Sequence, residues 1–435
     1  MNQQAVPARQ IDRTREPIHR LEVNPDELVL KPAIQILDNG IPVYIVQESG
    51  SGLFRLEWVM PAGMWYEQKN LAAFFTLRML REGTQIHDAE SFAELTDYHG
   101  SYIETTAERD RASVTLYCPL HFAAEVLPLL AEMLAEPTFP EDLLLQELQH
   151  QKQAFLINQE KVSFLARNQM MAALFGATHP YGRWIDETDF DQLRREDLLA
   201  HHQVGMDLRN TYIVMAGDVP DSLMHTVNRY FGCLTGTHIT IAYPKLEQVL
   251  TTTGRNIYVS KEGALQIAIR MGRRLFERSH PDFIPAQVAV TILGGYFGSR
   301  LMKKLREEQG FTYGIGASIA AMEQDGAFLV ATEVGEGVAE QALDAIRQEI
   351  RRLRKEPLDK EELERVSTYM TGNMLRNLDG AFARADRLRM LKESGLGMDY
   401  FLHWYQKVWS LKGEDIQKVF EVYLKEDDMI CVTAG

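Results

Sequence analysis

The stretch AAFFTLRMLREGT, residues 72–84, decides the fold of this chain. Apolar side chains recur at Leu71, Phe74, Phe75, Leu77 and Leu80, and Gly83 ends the run, so the pattern predicts a buried helix from about Asn70 to Glu82. Its only charged residues are Arg78, Arg81 and Glu82. Before it comes an alternating run, Leu53 to Met60, and a Pro61-Ala62-Gly63 turn. That order predicts a strand, a turn and a helix on one face of a sheet.

Working outward, IQILDNGIPVYIVQE (34–48) predicts a hairpin around Asp38-Asn39-Gly40. AESFAELTDYH reads as a helix stopped by Gly100, and residues 101–118 as strand, turn, strand. FAAEVLPLLAEMLAEP is an amphipathic helix ended by Pro137, with a longer helical region from Pro140 to about Leu174. After the HPYG loop (179–182), REDLLAHHQVGM reads as a helix and NTYIVMAGDV as a closing strand. The second half repeats the order: strands in 256–272, a helix in PDFIPAQVAVTILGG, paired strands in 311–334, helices at 337–357 and 359–370, then GEDIQKVFEVYL and a last strand. Glu136-Pro137 and Glu356-Pro357, Glu196-Asp197-Leu198 and Glu414-Asp415-Ile416, and Ala216-Gly217 and Ala434-Gly435 recur at a nearly constant offset. The fold class expected is therefore α+β, two homologous domains of mixed α/β sheet arising by internal duplication.

A chain of 435 residues with 45% hydrophobic and 25% charged residues is long enough for two such cores. Its net charge of -15 argues against nucleic acid or an anionic membrane as partner. Cys118, Cys233 and Cys431 are dispersed, which points to reduced core thiols rather than a disulfide framework. No secretory signal and no long apolar run is visible, so the expected location is the cytoplasm, with no membrane span.

The helix tail Met79-Leu80, Gly83-Thr84, placed after the third strand of a duplicated frame, resembles the insulinase/pitrilysin family of zinc metallopeptidases, which includes small bacterial members and the mitochondrial processing peptidase. The resemblance covers nearly all of the chain after about residue 30. It implies the family's metallohydrolase fold, with an N-terminal arm (1–30), a first domain (31–232), a linker (233–254) and a second domain (255–435). In active members this helix carries H-x-x-E-H, with both histidines on one face for zinc and the glutamate activating water. Counting back from the shared tail, Phe74 and Arg78 stand at the histidines and Leu77 at the glutamate. In PEDLLLQELQHQKQAF, Glu147 stands at the family's first glutamate and Ala154 at the ligand position seven residues on. All four zinc-motif positions have lost their chemistry, so no metal is expected in this chain. His87 with Glu90, His150, His179 and the adjacent His201-His202 lack the spacing for a replacement site and read as surface or core histidines.

LGGYFGSRLMKKLREEQGFTY (293–313) matches another family segment, a glycine-rich turn, a helix with an arginine and a strand with a tyrosine seven residues later. Arg306 and Tyr313 fall on that pair, with Gly310 stopping the helix between them. The resemblance gives them a role in holding a peptide carbonyl across a chamber. Taken alone, R-x6-Y is equally a helix-end arginine beside Glu307 and Glu308 and a β-forming tyrosine.

The resulting expectation is a zinc-free subunit of a heterodimeric metalloendopeptidase. Arg306 and Tyr313 would act in trans on peptide or unfolded polypeptide, and zinc would sit in a similar-sized partner carrying H-x-x-E-H. Alone, the chain would be an inactive homologue and could homodimerise. The alternatives are a non-catalytic scaffold like the core proteins of respiratory complex III, and an active zinc protease with unrecognised ligands.

Overall fold

The computed structural model describes residues 23–237 and 255–435. The expected arm as far as residue 22 and the expected linker from 238 to 254 lie outside the described residues.

Six strands form a first sheet: β1 (Ala33–Ile36), β2 (Pro42–Gln47), β3 (Leu53–Met60), β4 (Tyr102–Ala107), β5 (Ala112–Pro119) and β6 (Tyr212–Gly217). Five form a second: β7 (Asn256–Val259), β8 (Gln266–Leu275), β9 (Ile315–Ala321), β10 (Gly326–Gly335) and β11 (Ile430–Ala434). The spatial orders are β1-β2-β6-β3-β5-β4 and β7-β11-β8-β10-β9. Without β1 the two sheets have one topology. In each, the last strand in sequence inserts beside the first, in parallel, and every other pair is antiparallel. The duplication read from sequence landmarks is thus a duplication of connectivity.

Each sheet is buried on both faces, and the second face of each is covered by the other half. On β6, Ile213 and Met215 face a core built from first-half helices. Tyr212, Val214 and Ala216 face a different core, shared with Ala381, Ala385 and Leu388 of the helix Ala381–Glu393. Reciprocally, the helix Val162–Phe175 of the first half lays Ala166, Met170 and Leu174 on Ala268, Val432 and Ala434 of the second sheet. The sequence reads 140–174 as one helical region. The chain breaks it after Gln159, and only the second piece crosses to the other half. The helix Ala381–Glu393, its counterpart, falls in a stretch where the sequence reading places no element.

Several charged side chains buried at this crossing are paired. Arg55 and Glu57 on β3 are each 4% exposed and lie 3.2 Å apart. Arg55 also reaches Asp386 at 2.6 Å. Arg389 donates to Glu57, Glu108 and Glu393, each at 2.7 Å. Arg111 meets Glu323 at 2.7 Å, and the Tyr181 hydroxyl donates to Asp110. Burial opposes the charge on Arg389, yet Glu393, Glu57 and Glu108 together hold it protonated, above its ordinary value.

One expectation is corrected. Cys118 and Cys431 are buried, but Cys233 is exposed, because it follows the end of a surface helix, Asp221–Phe231, that the sequence reading omits. The charge-rich stretch 347–365 buries part of its charge. Glu349 is 2% exposed against Arg352, and Arg351 and Arg354 converge on Glu426, itself 4% exposed. Among the described residues no helix is long and apolar enough to cross a membrane.

Candidate functional site

The helix that would carry the metal motif spans Ala72–Met79 and tightens into a 3-10 turn over Leu80–Glu82. It opens on Leu71 at φ 72°, a left-handed conformation rare for a branched side chain. Glu67 holds this entry in place. Its carboxylate accepts from the Ala73 N–H at 3.1 Å and from Arg183 at 3.0 Å. Burial outweighs both donors and pushes the Glu67 carboxyl up to about 7.

Leu77 is 2% exposed and belongs to the first-half core, with Phe74 packed against that core. Arg78 projects from the same helix, and its Nε donates to Glu147 on the helix Glu141–Gln159. Gln151 donates to the same carboxylate at 2.7 Å, and His150 lies 3.7 Å from it. Two positions matched to the motif by register alone are thereby brought into contact. Arg78, expected at the second histidine, is bound by Glu147, expected at the family's first glutamate. The guanidinium supplies the positive charge that a metal would bring, fixed and undeprotonatable.

These residues do not fit zinc. Phe74 and Ala154 carry no donor atom, Leu77 is core, and Arg78 would repel a dication. Among the described residues no group of three or more His, Cys, Asp or Glu side chains is placed to hold a metal ion. The histidines have other occupations. His87 pairs with Glu132 at 3.1 Å, and His150 is exposed. His201 donates to the Ala62 carbonyl at 2.9 Å and His202 to that of Leu134 at 2.7 Å. Burial holds the His201 imidazole down at about 4, so it is neutral in the fold.

In the second half, a helix Phe283–Val290 runs on through a π-helical turn, Thr291–Gly295. That turn passes so close to β9 that a Cβ on Gly294 would lie 2.6 Å from the Ala317 nitrogen. A second π-helical segment, Met302–Glu308, places Arg306 in its last turn, and Gly310 follows at φ 65°. The Arg306 guanidinium lies over the Phe297 ring, 4.8 Å from its centroid. Tyr313 is 95% exposed, just ahead of β9, at the rim of an open cavity of about 330 Å³ lined also by Arg270, Thr312, Thr332 and Glu333. Arg306 and Tyr313 do not touch one another. Both are presented to solvent, and any convergence has to come from what binds there.

Residues 192–370 match the model of the peptidase M16 inactive domain. Over this part, less than half of its length, the chain is similar to the M16 peptidases. It is 22% identical over 325 residues to the uncharacterized zinc protease YmxG of Bacillus subtilis (strain 168), covering 73% of this chain and 77% of that one. It is 24% identical over 253 residues to the non-peptidase homolog YmxG of Helicobacter pylori (strain ATCC 700392 / 26695), which spans 57% of each chain. The structure of a peptidase M16 inactive domain from Pseudomonas fluorescens superposes with a TM-score of 0.84 at 22% identity, over 93% of this chain and 98% of that one. The insulinase/pitrilysin resemblance and its fold are therefore correct, and an inactive M16 homologue agrees with the residues at the motif positions.

Proposed function

We propose that this chain is the zinc-free half of a two-chain metalloendopeptidase, acting in the cytoplasm on short or unfolded polypeptides. The two units, residues 31–232 and 255–435, would form one wall of a chamber. A similar-sized chain with an intact H-x-x-E-H motif would form the other and hold the zinc. The observation that carries this reading is the Arg78–Glu147 pair in the motif's place, which leaves the chain folded around the site but without metal chemistry.

Arg306 and Tyr313 would contribute what a metal centre lacks. The guanidinium is a permanent double donor and the phenol a single donor. Aimed at one carbonyl oxygen, they would orient a peptide and stabilise the negative charge that develops on that oxygen. Their exposure supports a role in trans, since both are open to a second chain.

The test is co-expression with a zinc-bearing partner and an assay of peptide cleavage. Arg306→Ala and Tyr313→Phe should each lower kcat by about 100-fold, the order of losing one oxyanion donor, while the dimer persists by gel filtration. Unchanged turnover with an intact dimer would remove the role of the pair and leave the chain a scaffold.

A further inference from the structure

The helices Phe283–Val290 and Lys360–Arg376 hold in the second half the places that Ala72–Met79 and Glu141–Gln159 hold in the first. In the first half, Phe74 and the Arg78–Glu147 pair fill the space at the motif positions. In the second, residues of the corresponding helices line a cavity of about 240 Å³. Gln287 and Thr291 come from one helix and its π-turn, and Met370, Asn373 and Met374 from the other. Trp404 and Tyr400 close it on one side, and Arg387 of the crossing helix and Arg278 on another.

Arg55, Arg111 and Arg389 at the crossing are matched to carboxylates, but among the described residues Arg278 and Arg387 make no ion pair. Asp386, next to Arg387 in sequence, is taken by Arg55 at 2.6 Å. Arg387 Nε is buried with no hydrogen-bond partner. Tyr400 Oη is buried without an acceptor, beside the Arg278 guanidinium. Burial disfavours the charge on Arg387, the Asp386 carboxylate offsets this only in part, and the neighbouring Arg278 adds to it. An unmatched buried donor is destabilising, so a chain with net charge -15 maintains this arrangement against its own stability.

We propose that this cavity is a binding site for the carboxylate of a small acid with an apolar or aromatic body. The planar guanidiniums and the phenol supply donors for a carboxylate. Trp404, Met370 and Met374, each under 8% exposed, supply the apolar wall. The volume lies just below the ~300–1000 Å³ of drug-sized sites, which suits one ring and one carboxylate. A multiply charged anion would work against the acidic protein around it. The carboxylate can come from a free acid or from the last residue of a short peptide, since both present the same group. The site is separate from Arg306 and Tyr313, and it stands whether or not the proposed function does.

Calorimetric titration of the full chain tests this with four probes: phenylacetate, phenylacetamide, Gly-Gly-Phe and Gly-Gly-Phe-amide. A ligand of about ten heavy atoms should bind at ~0.1–1 mM, one per chain, with each amide at least tenfold weaker than its acid. Binding of phenylacetate alone identifies a free acid, and binding of Gly-Gly-Phe identifies a chain end. Arg387→Met should lose at least tenfold in affinity for the acid while melting no lower than the parent, because its buried Nε loses no bond. Met374→Trp, which fills the cavity without changing charge, should also abolish binding and serves if Arg387→Met does not fold. The proposal is overturned if neither acid binds, if acid and amide bind alike, or if Met374→Trp binds as the parent does.

Discussion

Arg389→Met is the most incisive perturbation of the way the two halves are joined. The Arg389 side chain is 13% exposed and pairs with Glu57, Glu108 and Glu393, each at 2.7 Å. These losses are unequal. Glu57 keeps Arg55 at 3.2 Å, and Glu108, about half exposed, is rehydrated by water. Glu393, with its side chain 20% exposed, loses its guanidinium partner altogether. Leaving one buried carboxylate without its cation costs about 3–5 kcal/mol. At roughly 1–2 °C per kcal/mol for a chain of this length, the melting temperature should fall by about 3–10 °C. The pH dependence is the sharper test. Burial already raises the Glu393 carboxyl and Arg389 opposes it, so removing Arg389 raises it further. A folded-state pKa above the unfolded one gives stability that is present at low pH and lost as pH rises through the folded value. The deficit of the variant against the parent should therefore be largest near pH 8 and shrink toward pH 5. Adding Glu393→Gln should recover part of it, in a double-mutant cycle. A deficit below about 1 kcal/mol, or one equal at pH 5 and pH 8, would refute the view that this crossing depends on a buried charge network.

Arg78→Ala should cost only about 1 kcal/mol, because the pair is partly exposed, at 40% for Arg78 and 20% for Glu147; melting scans at low and high salt check this, and the cost should diminish with salt. Glu67→Gln removes a carboxyl whose folded pKa of about 7 stands above its ordinary 4.5. The parent's Glu67 thus adds stability below pH 4.5 and loses it as pH rises through 7, whereas His201, held at about 4, adds stability above pH 6.5 and loses it as pH falls through 4. The two oppose each other, so the variant should lose up to about 3 kcal/mol more than the parent on going from pH 7 to pH 4.5, measured by urea unfolding at each pH. Purified chain should carry far less than one zinc per molecule by elemental analysis, and its melting temperature should not move with EDTA; a stoichiometric tightly bound zinc would contradict the reading of Phe74, Leu77, Arg78 and Ala154.

Most first-half elements were legible because each is a local pattern, the helix Asp221–Phe231 being an exception. β3 alternates, the Ala72–Met79 helix repeats its apolar residues at helical spacing, and Gly83 and Gly310 punctuate. The repeated landmarks carried the duplication, because two copies of one fold keep their turns and caps at matching places. That Phe74, Leu77 and Ala154 offer zinc no donor atom is likewise a matter of residue identity alone. What no local pattern encodes is which partner a helix finds. Val162–Phe175 reads as the end of one long helical region and Ala381–Glu393 is not read as an element at all, and only the packed structure shows them exchanged between the halves. Nothing in the sequence pairs Arg55, Glu57 and Arg389, which that exchange buries together. The Arg78–Glu147 contact joins two helices far apart in sequence, and the second-half cavity joins residues from Arg278 to Trp404. Sequence determined the fold, its doubling and the absence of metal ligands, because these depend on residue type and short-range spacing. The interlocked halves and the arginine-lined cavity were decided by tertiary structure alone, because burial and charge pairing are properties of segments that meet only after folding.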